Sequence, residues 1–191
     1  MNVLQEIGSE ADHLLLARYA KGDRLAARAL TLRHAPRCLS LARRMLSDQT
    51  EAEDVAQEAM LRLWKIAPAW QSGNARVSTW LYRVTANLCT DRLRRRRSVP
   101  LDDHHDLPDN TPGIDARLIA RDRVVALHEA MAQLPDRQRA AVALRHFEER
   151  GNPEIAEILG LSVEAVESLL SRGKRNLAAL LSPHKAAVGL P

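Results

Sequence analysis

The chain has 191 residues, enough for one medium domain or two small ones. It is 46% hydrophobic but only 3% aromatic and contains 8 glycines, a composition that favours helices packed through aliphatic side chains over sheets. The net charge of +4 is unevenly distributed: residues 82–97 contain six arginines and one acid, whereas residues 98–115 contain five aspartates and no Lys or Arg. This segregation favours a nucleic-acid-binding surface followed by an acidic connector.

The two cysteines and the N-terminus argue against an oxidising or membrane location. Cys38 and Cys89 are isolated and have no partner at metal-ligand spacing, so we expect two reduced, buried thiols. The N-terminal sequence "MNVLQEIGSEADHLLLARYAKGD" lacks the pattern of a signal peptide, and no apolar run approaches transmembrane length. We therefore expect a cytoplasmic protein that does not insert into a membrane.

The first block, residues 10–97, has helical periodicity, and Pro36 predicts a break or kink within it. Thr50 and Glu53 fit a capping box, in which the Glu side chain returns to the amide of the capping residue. That pattern predicts a helix from Glu51 to Ile66.

Residues 68–77 have the composition of a loop, and Ser78 is placed to cap the helix that follows it. Residues 98–115 contain three prolines and show no helical period, which predicts a flexible acidic linker. A second helical block covers residues 116–183. The sequence therefore predicts an all-α fold of two small helical domains, residues 10–97 and 116–183, joined by this linker.

The segment "NPEIAEILGLSVEAVESLLSRGKRNLAALL", residues 152–181, has the pattern of a helix-turn-helix. Asn152 can cap the first helix, Gly160 suits the left-handed position that ends it, and Ser162 can cap the second helix. The second helix has an apolar stripe and a polar outer face with several cations, as DNA binding requires. The alternative is a helical hairpin whose outer face is merely solvated.

With this module behind a separate helical domain, the chain resembles an extracytoplasmic-function (ECF) sigma factor of the sigma-70 family. "EAEDVAQEAMLRLW" (51–64) resembles region 2.2, "STWLYRVTANLCTDRLRRRR" (78–97) resembles regions 2.3 to 2.4, and residues 134–177 resemble region 4. The resemblance implies a non-enzymatic factor without a cofactor or metal. It implies binding to the clamp helices and flap of core RNA polymerase, recognition and opening of a promoter, and control by an anti-sigma factor that is often membrane-tethered.

The helix at 51–66 has a polar face that contains a single leucine, which suits a protein interface with one apolar anchor inside a polar rim. The resemblance implies that this face docks on the polymerase clamp; the alternative is a solvated face with one stray leucine. Its residues are Asp54, Gln57, Glu58, Leu61 and Lys65.

One stripe of the helix at 78–97 combines an aromatic ring, an amide and two guanidinium groups, which are the groups that strand opening requires. The resemblance implies contact with the −10 element, and Trp80 is either a wedge at the edge of the bubble or a partly buried core residue. The stripe consists of Trp80, Arg83, Asn87, Asp91 and Arg94. We expect Arg94, Arg95, Arg96 and Arg97 to contact phosphates on the upstream duplex.

The loop at 68–77 corresponds to the segment that captures a flipped −10 base, and Trp70, Gln71 and Asn74 offer stacking and polar groups for such a pocket. Gln71 stands where the family often has phenylalanine.

In the second domain the resemblance implies −35 contacts from Arg145, Ser168, Ser171, Arg172, Lys174 and Arg175. Glu167 stands where relatives carry an arginine.

Two further interpretations concern the linker and the overall activity. Residues 101–109 either follow a basic channel of the polymerase or form a solvated tether. His104 and His105 lie in this segment, and because a flexible segment cannot preorganise metal ligands, we do not expect a metal site there. The alternative function is a stand-alone helix-turn-helix regulator that binds duplex DNA without polymerase.

Overall fold

The computed structural model describes residues 10–71, 75–98 and 115–187, so the predicted linker lies almost wholly outside the described residues. Every regular element in these ranges is helical, in agreement with the predicted all-α class. The helices are α1 (Asp12–Ala20), α2 (Arg24–Leu46), α3 (Gln49–Ile66), a short 3-10 turn (Ala67–Ala69), α4 (Val77–Ser98), α5 (Asp115–Gln133), α6 (Asp136–His146), α7 (Asn152–Leu159) and α8 (Val163–Ala187).

Helices α1 to α4 pack around an aliphatic core. Leu15, Leu30, Met60, Leu63 and Leu81 come from all four helices and are buried together. The buried residues of this core recur at spacings of three and four along α2, α3 and α4, so each of these helices presents one apolar stripe to it. The opposite sides of α3 and α4 remain available for other contacts.

Helix α3 begins earlier than the sequence pattern predicted. The carboxylate of Asp48 accepts a hydrogen bond from the backbone N–H of Glu51 at 2.9 Å, so the helix starts at Gln49 and the capping box at Thr50 is wrong. Asp48 follows directly on Ser47, whose left-handed conformation ends α2 and brings Asp48 to the capping position. The predicted end at Ile66 is confirmed.

Pro36 does not break α2, which continues from Arg24 to Leu46. A proline removes one backbone hydrogen bond, and the loss is offset here by burial of Leu30, Cys38 and Leu41 on both sides of it. The helix is therefore maintained by tertiary packing.

Two other predicted caps are also wrong, by two residues in α4 and by one residue in α7. Helix α4 begins at Val77, so Ser78 lies in its first turn. Gly151 precedes α7 and its carbonyl accepts from the N–H of Ile155 at 2.9 Å, which places Asn152 inside the helix. Pro153 fits equally well one position later, because the first four N–H groups of a helix have no partner within the helix.

The helix-turn-helix pattern itself is confirmed. Gly160 has φ +64° and ψ +43°, the left-handed conformation that ends α7. The Ser162 hydroxyl accepts a hydrogen bond from the N–H of Ala165 at 3.2 Å and so caps α8. Ile155 and Val166 are buried between the two helices, while the opposite face of α8 is exposed.

The second helical block packs directly on the first, and one continuous core contains residues of both. Met45 and Cys89 from the first block lie in the same buried cluster as Leu144 and Ile155 from the second. Cys38 and Cys89 are reduced and buried as predicted, and burial raises their pKa to about 11 and about 12 respectively.

Gly173 lies where α8 packs against α6. A Cβ atom at this position would lie 2.7 Å from Cγ2 of Val142. Replacing glycine with alanine usually stabilises a helix by about 1 kcal/mol. Here we expect Gly173→Ala to lower the free energy of unfolding by about 1–3 kcal/mol through overpacking, measured by thermal and urea unfolding. Adding Val142→Ala should recover most of the loss, and a higher melting temperature for Gly173→Ala alone would contradict the predicted steric clash.

Candidate functional site

The outer face of α3 presents one large apolar side chain among polar ones. Leu61 is 62% exposed, and Gln57 and Lys65 on the same face are also exposed. The carboxylate of Glu58 accepts from Nε of Arg62 at 2.8 Å, so this acid is held along the helix. The five residues predicted to bind a partner thus share one accessible face, opposite the buried stripe of α3.

An apolar groove of about 650 Å³ runs between α2 and α3 beside this face. Leu32, which is 66% exposed, forms one wall, and Leu61 and Trp64 form the other. Neither Leu32 nor Trp64 was predicted from the sequence to belong to this surface. The available signal was that Leu32 is a leucine that lies off the buried stripe of α2, where a polar residue is the usual choice.

A second groove, of about 410 Å³, lies between α3 and α4 and is mostly polar. Asp54 and Leu61 of α3 face Asp91 and Arg95 of α4 across it. Arg92, which the sequence analysis did not single out, closes one end: its Nη1 donates to the carbonyl oxygen of Glu51 at 3.0 Å. The predicted polymerase face and the lower part of the predicted −10 stripe therefore share one surface.

The structure brings together two of the predicted aromatic residues. The rings of Trp70 and Trp80 meet edge to face, with centroids 5.9 Å apart and an interplanar angle of 84°. Both are half-buried against the core of the first block. The Trp70 Nε1–H has no hydrogen-bond partner among the described residues. Gln71 is exposed beside this pair, and Asn74 lies outside the described residues.

Along α4 the predicted −10 stripe forms a single exposed edge below Trp80. Asn87, Asp91 and Arg94 are exposed, whereas Tyr82 and Cys89 on the other side are buried. Arg83 is also exposed, but its Nη2 donates to the carbonyl oxygen of Glu157 in α7 at 2.6 Å. One member of the stripe is thus held by the second block.

The four consecutive arginines have different surroundings. Arg96 donates from Nη1 to the carbonyl oxygen of Leu46 at 3.3 Å and forms ion pairs with Asp48 at 3.2 Å and Glu51 at 3.0 Å. It therefore joins the end of α4 to the α2–α3 turn. Arg97 forms an ion pair with Asp136 of α6, and Arg94 is exposed. The prediction of four equivalent phosphate contacts did not anticipate this division.

On α8 the predicted −35 residues lie on the solvent-facing side. Ser168, Ser171 and Arg172 are exposed in sequence along the helix, with Lys174 and Arg175 following. Nη1 of Arg145 donates to the carbonyl oxygen of Arg150 at 3.1 Å.

His146, at the end of α6, is affected electrostatically by two of the predicted −35 cations. Partial burial lowers the pKa of His146, and the positive charges of Lys174 and Arg145 lower it further, so the neutral imidazole is favoured.

The described residues contain no group of three or more side chains able to hold a metal ion, and His104 and His105 lie outside them. Within the described ranges, no helix is long and apolar enough to cross a bilayer.

Comparison with known proteins matches both helical blocks. The Sigma-70 region 2 model matches residues 30–99, and the Sigma-70 region 4 model matches residues 125–177. The chain is 33% identical over 174 residues to the ECF RNA polymerase sigma factor SigM of Mycobacterium tuberculosis, covering 90% of this chain and 85% of the relative. It is 31% identical to the RNA polymerase sigma-H factor of Pseudomonas aeruginosa, covering 91% of this chain and 95% of the relative.

The fold also matches a solved structure, that of CnrH in complex with the cytosolic domain of CnrY. The TM-score is 0.70 at 26% identity, and the match covers 91% of this chain and 99% of that chain. These matches define this chain, with its two helical blocks and the helix-turn-helix in the second, as a transcription initiation factor. The chain belongs to the ECF group of the sigma-70 family of RNA polymerase sigma factors.

The different surroundings of Arg96 and Arg94 predict that only Arg96 stabilises the fold. Measuring the unfolding of single variants tests this prediction. We expect Arg96→Ala to lower the free energy of unfolding by about 1 kcal/mol, because it removes a carbonyl hydrogen bond and two half-exposed ion pairs. For a chain of this size that corresponds to a melting temperature lower by about 2–4 °C. The matched control, Arg94→Ala, should melt as the wild type does. Equal melting temperatures for the two variants would contradict the structural role of Arg96.

Proposed function

We propose that the chain binds core RNA polymerase, recognises the −35 and −10 elements of its promoters and helps to separate the strands at the −10 element. Residues 10–97 bind polymerase and the −10 element, residues 98–115 form the connecting linker, and residues 116–183 bind the −35 element. The factor has no catalytic chemistry of its own and acts in the cytoplasm, where polymerase and DNA are. The observation that carries this proposal is the exposed Leu61 in its polar rim, in a chain that also contains a helix-turn-helix.

The partner surface on α3 suits an amphipathic helix. Leu61 projects between an apolar groove on one side and a polar groove on the other. Such a ridge fits an amphipathic helix that places apolar residues against Leu32 and Trp64 and polar residues against Asp54 and Gln57. We assign this surface to the clamp helices of the polymerase, with Glu58 and Lys65 contributing polar contacts at the rim.

The −10 element is read at the first turns of α4 and the loop before it. The Trp70–Trp80 pair provides an aromatic surface for an unpaired base. Asn87 offers an amide for a base edge on the exposed stripe, and Gln71 is exposed beside the tryptophan pair. Arg83, Arg94, Arg95 and Arg97 bind phosphates; Arg96 is placed to support them, and Asp91 lies where the DNA and polymerase surfaces meet.

The −35 element is read by α8 in the major groove. Ser168, Ser171 and Arg172 lie where side chains of a recognition helix contact base edges. Arg145, Lys174 and Arg175 flank them and bind phosphates, which fixes the register of the helix on the duplex. Glu167, beside Asn152 of α7, replaces a cation at the start of the helix, so we expect a −35 sequence unlike that of relatives with arginine there.

We also propose control by an anti-sigma factor, which can be membrane-tethered. The related CnrH was solved with the cytosolic domain of CnrY bound. An inhibitor that covers Leu61 and the groove between α2 and α3 excludes the polymerase, because the two partners then compete for the same apolar surface.

The polymerase surface is tested by a leucine truncation. We expect Leu61→Ala to weaken binding of the full chain to core RNA polymerase by about tenfold or more, since truncating an interface anchor costs at least about 1–2 kcal/mol. Binding is measured by fluorescence anisotropy with purified core enzyme. Leu25→Ala is the matched control, because Leu25 is 46% exposed at the start of α2 and does not line the groove. Equal affinity for the two variants would overturn the assignment of the α3 face.

A further inference from the structure

A concave site of different character from the two grooves lies between α2 and α5. It is a cavity of about 390 Å³, a size at which proteins bind small molecules. One part of its wall is apolar and the other part carries two guanidinium groups, an imidazole and a hydroxyl. The lining residues are Pro36, Leu39, Ser40, Arg43, Arg44 and His128. Among the residues that the structure describes, no carboxylate lines this cavity.

The two arginines of the cavity are held in place without using most of their N–H donors. The guanidinium of Arg44 lies 3.5 Å from the ring centroid of Phe147, and within the described ranges Arg44 forms no hydrogen bond or ion pair. Nη2 of Arg43 forms one long ion pair, 3.8 Å from Oε1 of Glu53, and both of these side chains are about half-exposed. Such a pair contributes little, so both guanidinium groups remain available to a ligand.

The cavity is electropositive. Partial burial lowers the pKa of His128, and the positive charge of Arg44 lowers it further. Burial also lowers the pKa of Arg44 itself. The carboxylate of Glu148 opposes that second shift, but its Oε2 accepts a hydrogen bond from the hydroxyl of Tyr82 at 2.7 Å. An anion in the cavity therefore meets cations whose donors are not satisfied by the protein.

The donors of this cavity suit a phosphate group better than a carboxylate. A phosphate monoester has three terminal oxygens and a charge of about −1.5 to −2 near pH 7, enough to accept from two guanidinium groups and an imidazole together. A carboxylate has a single charge and two oxygens. The planar donor fork of arginine also matches phosphate geometry. The apolar wall formed by Pro36 and Leu39 suits an organic substituent on the ester.

We propose that the cavity between α2 and α5 binds a small phosphate monoester, with Arg43, Arg44 and His128 holding the phosphate. This ligand site is separate from the surfaces assigned to polymerase, DNA and an anti-sigma factor, and it does not depend on those assignments. Pro36 and Leu39 also line the apolar groove that reaches Leu61. A metabolite bound here therefore lies next to the surface assigned to the polymerase.

The ligand class is tested on the full chain with inorganic phosphate and phenyl phosphate, and with acetate as the control anion, at constant ionic strength. Binding is followed by NMR of the His128 ring, whose resonances are assigned by comparison with His128→Gln. We expect both phosphates, but not acetate, to raise the pKa of His128 by about one pH unit, because a neighbouring anion favours the imidazolium. Phenyl phosphate should bind about tenfold more tightly than inorganic phosphate, since its ring is buried against the apolar wall.

The residues of the site are tested by single substitutions. We expect Arg43→Gln and Arg44→Gln each to weaken phenyl phosphate binding by about tenfold or more, since each removes a charged donor. Arg28→Gln is the matched control, because Arg28 is an exposed arginine on the same helix and does not line the cavity. If loss of the Phe147 contact prevents Arg44→Gln from folding, Arg43→Gln carries the test, because its side chain is about half-exposed.

Three results would overturn the inference: no phosphate-dependent change at His128, equal changes with acetate and phosphate, or unchanged affinity in Arg43→Gln. Equal affinities for the two phosphates would overturn the assignment of the apolar wall. Leu61 does not line this cavity, so Leu61→Ala should bind phenyl phosphate as the wild type does. A failure of the polymerase assignment is thereby distinguished from a failure of the phosphate site.

Discussion

The positions of the residues proposed to bind DNA depend on helix α4. One side of this helix is buried both in the core of the first block and in the core shared with the second block. Leu81 and Tyr82 at its start, and Ala86 and Cys89 further along, contact the core of the first block or the core shared with the second. Because a helix that is buried on one side must direct its other residues outward, this packing aligns Asn87, Asp91 and Arg94 along the opposite edge, with the half-buried Trp80 at its start. The same constraint that stabilises the chain therefore orients the side chains proposed to meet DNA.

The proposed polymerase surface on α3 adjoins the proposed −10 surface on α4. Leu61 lies between two grooves, and the polar groove ends in Asp91 and Arg95 of the proposed −10 stripe. A partner docked on α3 is therefore close to DNA bound along α4. This proximity gives polymerase a direct physical means of influencing the −10 surface, and the second block, which covers Arg83 and Arg97, occupies the region next to it.

The sequence was sufficient for features set by local chemistry and insufficient for features set by distant contacts. Gly160 and Ser162 were predicted correctly because their roles depend on backbone conformation within a few residues. The cap of α3 was misplaced because Asp48 and Thr50 are both good capping residues and the end of α2 decides between them. Arg96 looks identical to its neighbours in sequence, and only the position of the α2–α3 turn distinguishes it. The Tyr82–Glu148 contact joins residues 66 positions apart, beyond the reach of any periodicity.

Promoter-specific transcription by core RNA polymerase tests the central claim most directly. Purified core enzyme is combined with the full chain on a library of promoters, and the start sites are mapped for the wild type and for Asn87→Ala. The account predicts defined start sites with the wild type, none with core alone, and at least about tenfold fewer transcripts with Asn87→Ala at unchanged core affinity. Sequence-specific binding to duplex DNA without polymerase, together with no defined transcript when core enzyme is present, would contradict it.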